Sequence, residues 1–357
     1  MVNLRLLKAL ARRGWRVQAA VLFERPSQPR VDVSFYLDFL LDGFPARGIA
    51  SKMVLPWRIA VHARNADLVI GGLELAATNY GFLAARLSRR PFLSWTHTAF
   101  AQHQYTAGPL DRWVSHWVYR HCRNVVFPSS GALASLAKAL GGQPLGVRWH
   151  VIENFLEGIP PKSSDPPDKE LYRKPVLIGV GRLVREKAFD RLIRAHAVLR
   201  AQGIDHHLII LGDGPERERL QRLVQELSLE ASAFLPGHVS DPWPWLSYAH
   251  VFAMCSQYEG LPLVLLEAMA AGLPCVAMDC ESGPREILQD GAFGLLTSDG
   301  DEGAFYEALA RVFCDPQLRV ELSTKAQLRA KHYSKEHIVP RWEGLFHQLI
   351  GRHNRWS

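Results

Sequence analysis

The stretch 258–274, YEGLPLVLLEAMAAGLP, carries two carboxylates, Glu259 and Glu267, with Gly260, Leu261 and Pro262 following the first. Proline is tolerated at the first position of a helix and glycine marks its end, so Pro262 and Gly272 predict a helix over 262–271. Its unpaired N–H groups and the positive end of its dipole open from a glycine-containing turn, which makes an anion site. Glu267 falls about one and a half turns into this helix. A phosphate-binding helix start, with one carboxylate before it and one inside it, suits a nucleotide-sugar. Spacing alone equally allows an ordinary buried helix with one capped and one solvated glutamate.

Further motifs surround this one. GVGRLVREKAFDRLI (179–193) follows a predicted strand, and Gly181 lets the backbone turn there. Arg182 and Lys187 share that loop and can reach one anion, the first as a planar fork and the second as a point charge. Gly179 and Gly181 form a G-x-G, but Val184 takes the third glycine position of a dinucleotide fingerprint, and no G-K-[ST] of a P-loop is present. In ILGDGPERERL (210–220), Gly212 and Asp213 lie in a turn before a helix start; Asp213 equally reads as a turn-shaping residue. FLPGHVSDPWPWL (234–246) has Gly237 and several prolines, which leave backbone groups outside a ladder and free to read a base edge. In DCESGPREIL (279–288), Ser282 is the candidate helix N-cap. In the first half, FLSWTHTAF (92–100) brings His97 to the carboxyl end of a strand; a packed or solvated histidine is the alternative.

These residues need elements to hold them, and the hydrophobic pattern supplies an alternation. A helix is expected over 2–13, a strand over 16–23, a helix over 55–65, a strand at 68–70, a helix over 75–88, a strand at 92–95, a helix near 110–121, a strand at 125–127 and a helix over 131–140. Residues 24–54 read as irregular. The polar, proline-rich segment 156–174 reads as a linker. Strands at 176–180, 208–211, 234, 251–254 and 275–278 then alternate with helices at 189–200, 215–227 and 262–271, and three helical stretches close the chain. Strands alternating with helices mean parallel α/β sheets. The expected organisation is 1–158, a linker at 159–174, a second domain at 175–335 and a C-terminal helix at 336–357.

Composition narrows the class. A chain of 357 residues with 48% hydrophobic content has room for two cored domains, and no run is apolar enough to span a membrane. The N-terminus lacks a signal-peptide layout. Five cysteines without a C-x-x-C pair point to a reducing compartment, buried thiols and no zinc site. Residues 1–160 hold 19 Lys and Arg against 9 Asp and Glu, and the rest hold 23 against 26. A basic first half implies an anionic partner, a membrane surface or phosphorylated acceptor rather than nucleic acid, for which no motif is present; a solvated basic face is the alternative. In DRWVSHWVYRHCR (111–123), Trp113 and Trp117 either pack on the sheet or lie on a membrane interface.

GRLVREK, LGDGP, PGHVSD, YEGLPLVLLEAMAAGLP and SGPREIL, in this order over about 176–297, resemble the nucleotide-sugar half of glycosyltransferase family 4. The family's members are retaining transferases of the GT-B fold, two Rossmann-like parallel-sheet domains facing across a cleft. The resemblance implies that Arg182 and Lys187 neutralise the donor diphosphate, with amides near Leu261, Pro262 and Leu263. It implies that Glu267 accepts hydrogen bonds from the ribose, and that Glu259 and His97 contact the donor sugar as the catalytic pair. It places the nucleobase near Gly237, Val239 and Asp241, with Gly212 and Asp213 on the same side. It implies no metal and no cofactor beyond the nucleotide-sugar, and no D-x-D that would hold a metal is read. The residues agree with this chemistry, because departure of a nucleoside diphosphate builds negative charge that preorganised cations and a helix N-terminus stabilise.

The reading is a cytoplasmic enzyme, peripheral on the inner face of the cell membrane. It would move a hexose or N-acetylhexosamine from a UDP- or GDP-sugar to a lipid-linked, lipopolysaccharide or polysaccharide acceptor. A non-catalytic nucleotide-sugar-binding remnant and an epimerase of the same fold are the alternatives. Family members carry a strand and a Gly-Gly loop before their first helix, and Met1 falls where that helix begins. The in-frame genomic sequence just upstream is expected to encode an apolar strand and Gly-Gly loop on the order of 10–15 residues long; an immediate in-frame stop codon there refutes this.

Overall fold

A computed structural model of the chain describes residues 2–20, 40–41, 49–100, 108–161 and 165–353. The chain divides into two compact units, residues 1–154 with 335–357, and residues 155–334. In the first unit α1 (Val2–Ala11) buries Leu6 and Leu10. The short strands β1 (Ala19–Ala20) and β2 (Leu40–Leu41) pair in parallel; most of the strand expected over 16–23 lies outside the described residues or is not strand. Then follow α2 (Ile49–Ala63), β3 (Val69–Gly71), α3 (Ala76–Ser88), β4 (Phe92–Trp95), α4 (Pro109–His121), β5 (Asn124–Phe127), α5 (Ser130–Leu140) and β6 (Arg148–Val151). Strands β3 to β6 form a parallel sheet in sequence order. Helix α2 begins six residues before the expected start at 55, with Pro56 inside it, where a proline ordinarily opens or ends a helix.

Of the two placements open to the α4 tryptophans, packing on the sheet is not the one adopted. Trp113 is 67% exposed and Trp117 44%, while Val118, Tyr119 and Cys122 fill the core with Phe82, Val125 and Phe127. The residues that face inward, Ser115, Val118 and Tyr119, recur at helical spacing, and positions 113 and 117 fall on the opposite stripe.

The second unit holds β7 (Val176–Val180), α6 (Phe189–Ala201), β8 (His207–Leu211), α7 (Arg217–Glu226), β9 (Ala233–Gly237), α8 (Trp243–Tyr248), β10 (Val251–Met254), α9 (Leu263–Ala270), β11 (Cys275–Asp279), α10 (Pro284–Leu288), β12 (Leu295–Ser298), α11 (Glu302–Cys314) and α12 (Pro316–Ala330). Its six strands are parallel, in the order β12-β11-β10-β7-β8-β9. Alternate strand residues serve opposite faces. Leu177, Leu208, Ile210, Val251 and Val276 join α6, α7 and α11 on one side; Val176, Ile178, Ile209, Phe252 and Ala277 join α9, α10 and α12 on the other. The chain runs outward from β7 in one direction, then returns to β10 on its other flank, so the switch in strand order lies between β7 and β10. Four of the cysteines are buried as expected, but Cys314, at the end of α11, is exposed.

The last helix, α13 (Lys335–His353), belongs to the first unit. Trp342 is fully buried with its ring centroid 4.6 Å from that of Trp95, and Phe346 meets Trp15 edge-on at 5.5 Å. Glu343 accepts from Arg13 at 2.9 Å and from Trp15 Nε1 at 3.0 Å, and these donors hold its carboxyl below the usual range.

A buried histidine chain links α6 to the residues just before β8 and β9. His206 Nδ1 meets the Ile204 carbonyl at 2.9 Å, so its Nε2 is the acceptor for His196 Nδ1 at 2.8 Å. His196 Nε2 therefore accepts from Ser232 Oγ at 2.9 Å. Both imidazoles are neutral in this arrangement. Burial, with the neighbouring His206, pushes His196 down to about 3. The unfolded chain takes up this proton near the ordinary histidine value and the folded chain does not, so stability is full above that value and falls with pH between about 6.5 and 3, by about 1.4 kcal/mol per unit for one such group. The thermal midpoint is expected to drop on acidification from neutral pH, and less steeply in His196→Gln with its own lower baseline. Parallel slopes in the two proteins would assign the acid sensitivity elsewhere.

Candidate functional site

The predicted phosphate-binding residues gather where β7 and β10 end, at the switch in strand order. Ligands of doubly wound sheets bind at this place because the loops there part in opposite directions. The loop after β7 is tied to the loop after β8. Gly181 N donates to Leu211 O at 2.9 Å, Leu183 N to Asp213 O at 2.9 Å and Glu216 N to Leu183 O at 2.9 Å. Glycine is required for this approach: a Cβ on Gly212, at φ +142°, would stand 1.8 Å from Gly181 O, and one on Gly214 2.4 Å from Leu183 O. Arg182 is thereby held at the surface with an exposed side chain, 3.7 Å from Glu186. A single tight turn, Arg185–Lys187, then ends at Ala188, which takes a left-handed backbone at φ 48°.

That turn aims Lys187 inward. Its Nζ lies 2.5 Å from Glu259 Oε1 in the loop after β10, and both side chains are largely buried. Ser256 Oγ donates to the same carboxylate oxygen at 2.8 Å, and Gln257 N donates to Glu186 O at 2.8 Å. The loop continues through buried Leu261 to Pro262, which is the N-cap of α9, one residue later than the expected helix start. Leu263 opens the helix and Glu267 sits on its second turn, half-buried.

Ser282 does not cap the following helix. Gly283 takes the cap position at φ +99°, and Ser282 Oγ instead donates to Glu259 O at 2.6 Å, with Gly260 O at 3.1 Å. A Cβ on Gly283 would meet Pro262 Cδ at 2.6 Å, so this loop is pressed against the start of α9 and pins the Glu259 turn from behind.

The residues expected around a base are partly assembled. Gly212 N donates to Gly237 O at 2.8 Å, and Asp213 Oδ1 accepts from Gly214 N at 2.8 Å, which gives Asp213 its turn-shaping role. Val239 packs against the α9 side of the sheet. Asp241 accepts from Trp243 N at 3.0 Å and so shapes the start of α8. Sequence reasoning missed Arg217, which donates to Leu235 O at 2.9 Å and lies 3.9 Å from Asp213. Its signal was an arginine at a helix start, where the dipole disfavours a cation. The sequence also contains one D-x-D, Asp299-Gly300-Asp301. Asp299 accepts from Arg191 at 2.9 Å, and Asp301 caps α11 through Ala304 N at 2.9 Å.

In the first unit, His97 follows β4. Its Nε2 is 2.8 Å from Gly72 O, and Trp95 packs beside it with ring centroids 4.6 Å apart. Burial lowers its pKa, against the opposing charge of Glu74. Glu74 is the second missed residue: its Oε1 accepts from Thr98 N at 2.8 Å, from Thr98 Oγ1 at 3.2 Å and from His97 N. One carboxylate thus fixes the backbone that presents His97. The available signal was an acidic residue two positions after Gly71-Gly72 at a strand end.

Two parallel-sheet units in one chain, one of them doubly wound with its cations at the switch point, define the GT-B fold class. Residues 162–329 match the family described as Glycosyl transferases group 1, and residues 1–157 match Glycosyltransferase Family 4. The chain belongs to the family 4-like glycosyltransferases. It is 36% identical over 163 residues to the N-acetylgalactosamine-N,N'-diacetylbacillosaminyl-diphospho-undecaprenol 4-alpha-N-acetylgalactosaminyltransferase of Campylobacter jejuni, covering 46% of this chain and 44% of that one. The chain spans about half or less of the length of the first curated relatives it matches. Its fold is similar to that of sucrose-phosphate synthase from Thermosynechococcus elongatus, with a TM-score of 0.82 at 20% identity over 98% of this chain and 92% of that one. It is similar as well to Anabaena HepE in complex with UDP and glucose, with a TM-score of 0.79 at 18% identity over 98% and 95%.

The Gly212 approach is directly testable. Gly212→Ala forces the two loops apart and is expected to cost stability and to release Arg182 and Lys187 from their positions. Thermal unfolding and nucleotide titration should both change; a variant with wild-type values in both would show that the loops can separate without consequence.

Proposed function

We propose that the chain transfers a hexose or N-acetylhexosamine from a UDP- or GDP-sugar to a lipid-linked, lipopolysaccharide or polysaccharide acceptor, with retention of anomeric configuration. The observation that carries this is the convergence of Arg182, the Lys187–Glu259 pair and the start of α9 at the switch point of the second unit. Arg182, Lys187 and amides at Leu261 and Leu263 take the diphosphate, Glu267 the ribose, and the 237–241 turn with Gly212 and Asp213 the base. Glu259 contacts the sugar. The acceptor oxygen forms its bond to C1 on the face from which the C1–O–phosphate bond breaks, and the acceptor proton passes to the departing diphosphate. No metal ion enters this scheme, because the cations and the helix start supply the countercharge. The relatives' names support the acceptor class, one of them acting on a diphospho-undecaprenol glycan and another, from Rhizobium meliloti, in lipopolysaccharide core biosynthesis. The binding of UDP by HepE supports the donor class. The basic first unit would bring the enzyme to the inner face of the membrane.

The side-chain environments separate the roles experimentally. Arg182 is exposed and only 3.7 Å from its nearest carboxylate, Glu186, so Arg182→Ala removes a surface donor. It is expected to weaken UDP or GDP binding by about 1.5–3 kcal/mol, as for a lost charged hydrogen bond. Glu267→Ala should weaken binding of the bare nucleotide, whereas Glu259→Gln, which keeps the shape beside Lys187, should leave nucleotide affinity nearly intact and lower turnover. Calorimetric titration and a donor-consumption assay read these outcomes. Unchanged affinity in both Arg182→Ala and Glu267→Ala would remove the nucleotide site from this loop cluster.

A further inference from the structure

The first unit has a surface that the transfer scheme does not use. Helix α3 lies between α2 and α4, over the sheet. Ala84 and Tyr80 pack against Leu55, Ile59 and Ala60 of α2 on one flank. On the other, Asn79 Nδ2 donates to Ser115 Oγ at 3.1 Å, and the Phe82 ring meets that of Trp117 at 6.0 Å. The three helices therefore form one layer, and the residues they turn away from the sheet share one side.

That side is apolar and basic together. On α2, Met53, Trp57 and Val61 recur four residues apart, and Trp57 is 61% exposed. Leu83 and Leu87 of α3 and Trp113 and Trp117 of α4 are also exposed. Arg58, Arg64, Arg86, Arg120 and Arg123 are exposed among or beside them. Within residues 49–63, 76–88 and 109–121 the sequence contains a single carboxylate, Asp111. A soluble helix layer does not ordinarily leave three tryptophans outside. Indole rings favour the boundary between water and acyl chains, and arginines beside them favour anionic head groups.

We propose that the outer face of α2, α3 and α4 docks on an anionic bilayer, with Trp57, Trp113 and Trp117 entering the interface and the arginines on the head groups. The charge complementarity of this face selects a bilayer over an apolar partner protein. The inference rests on the reading of a membrane-borne acceptor, yet its test is independent of transfer, because nucleotide binding by the second unit reports that reading separately.

The test is flotation of the full chain with vesicles of phosphatidylcholine alone and of phosphatidylcholine with phosphatidylglycerol. Binding is expected to the anionic vesicles and to weaken as salt rises. Arg58→Gln with Arg86→Gln should lower the partition coefficient about tenfold or more for two charges removed. Trp57→Ser with Trp113→Ser should abolish the part of binding that survives high salt. Arg222→Gln with Lys325→Gln, which removes the same charge from the second unit, should bind as the unaltered chain does. Thermal melts matching that chain show that each variant is folded. Patch variants that bind undiminished overturn this face as the docking surface while leaving a membrane partner standing. Equal binding to neutral and anionic vesicles overturns the charge argument, and no binding of the unaltered chain overturns both. A dimer in lipid-free solution that the tryptophan substitutions dissociate, without vesicle binding, assigns the face to a second copy.

Discussion

The Lys187–Glu259 contact joins two loops that are 72 residues apart in the chain and that leave adjacent strands of one sheet. Both side chains are largely withdrawn from water, so neither charge is well solvated alone, and each sets the position of the other. Ser256 fills a further lone pair of the carboxylate, and Ser282 holds the Glu259 backbone. The pair is thus fixed from the loop after β7, the loop after β10 and the loop after β11. A departing diphosphate would meet a cation already oriented, with little reorganisation at the moment of bond breaking.

The frame around that pair is made by backbone rather than side chains. The loops after β7 and β8 run against each other through main-chain hydrogen bonds, at a separation that only Gly212 and Gly214 permit. Gly283 allows the same intimacy behind Pro262. Such contacts carry no rotamer freedom, so they position Arg182 and the α9 start at low entropic cost.

The first unit is organised differently. Its last packing element arrives from the far end of the chain: α13 lays Trp342 and Phe346 against Trp95 and Trp15. Trp95 in turn packs beside His97, so the sequence-terminal helix supports the strand end that presents the histidine. Glu74 completes that support through backbone amides. The layer of α2, α3 and α4 fills the core with its inner face, whereas its outer face leaves the Trp57, Trp113 and Trp117 indoles exposed.

Much of the second unit was legible in the sequence because its signals are local. Strand runs buried on both faces, glycine-bearing turns and the Pro262–Gly272 bracket each report a conformation within a few residues, and the loop positions of Arg182, Lys187 and Glu259 and the helical position of Glu267 follow from them. What needed the tertiary structure were distances across loops. That Lys187 meets Glu259, that Ser282 serves Glu259 and Gly260 instead of capping α10, and that Glu74 holds His97 all depend on strand order and on side chains far apart in sequence. The orientation of Trp113 and Trp117 was undecided for a related reason. A four-residue spacing says that two side chains share a face, but only the packing of Val118 and Tyr119 onto the sheet decides which face is buried.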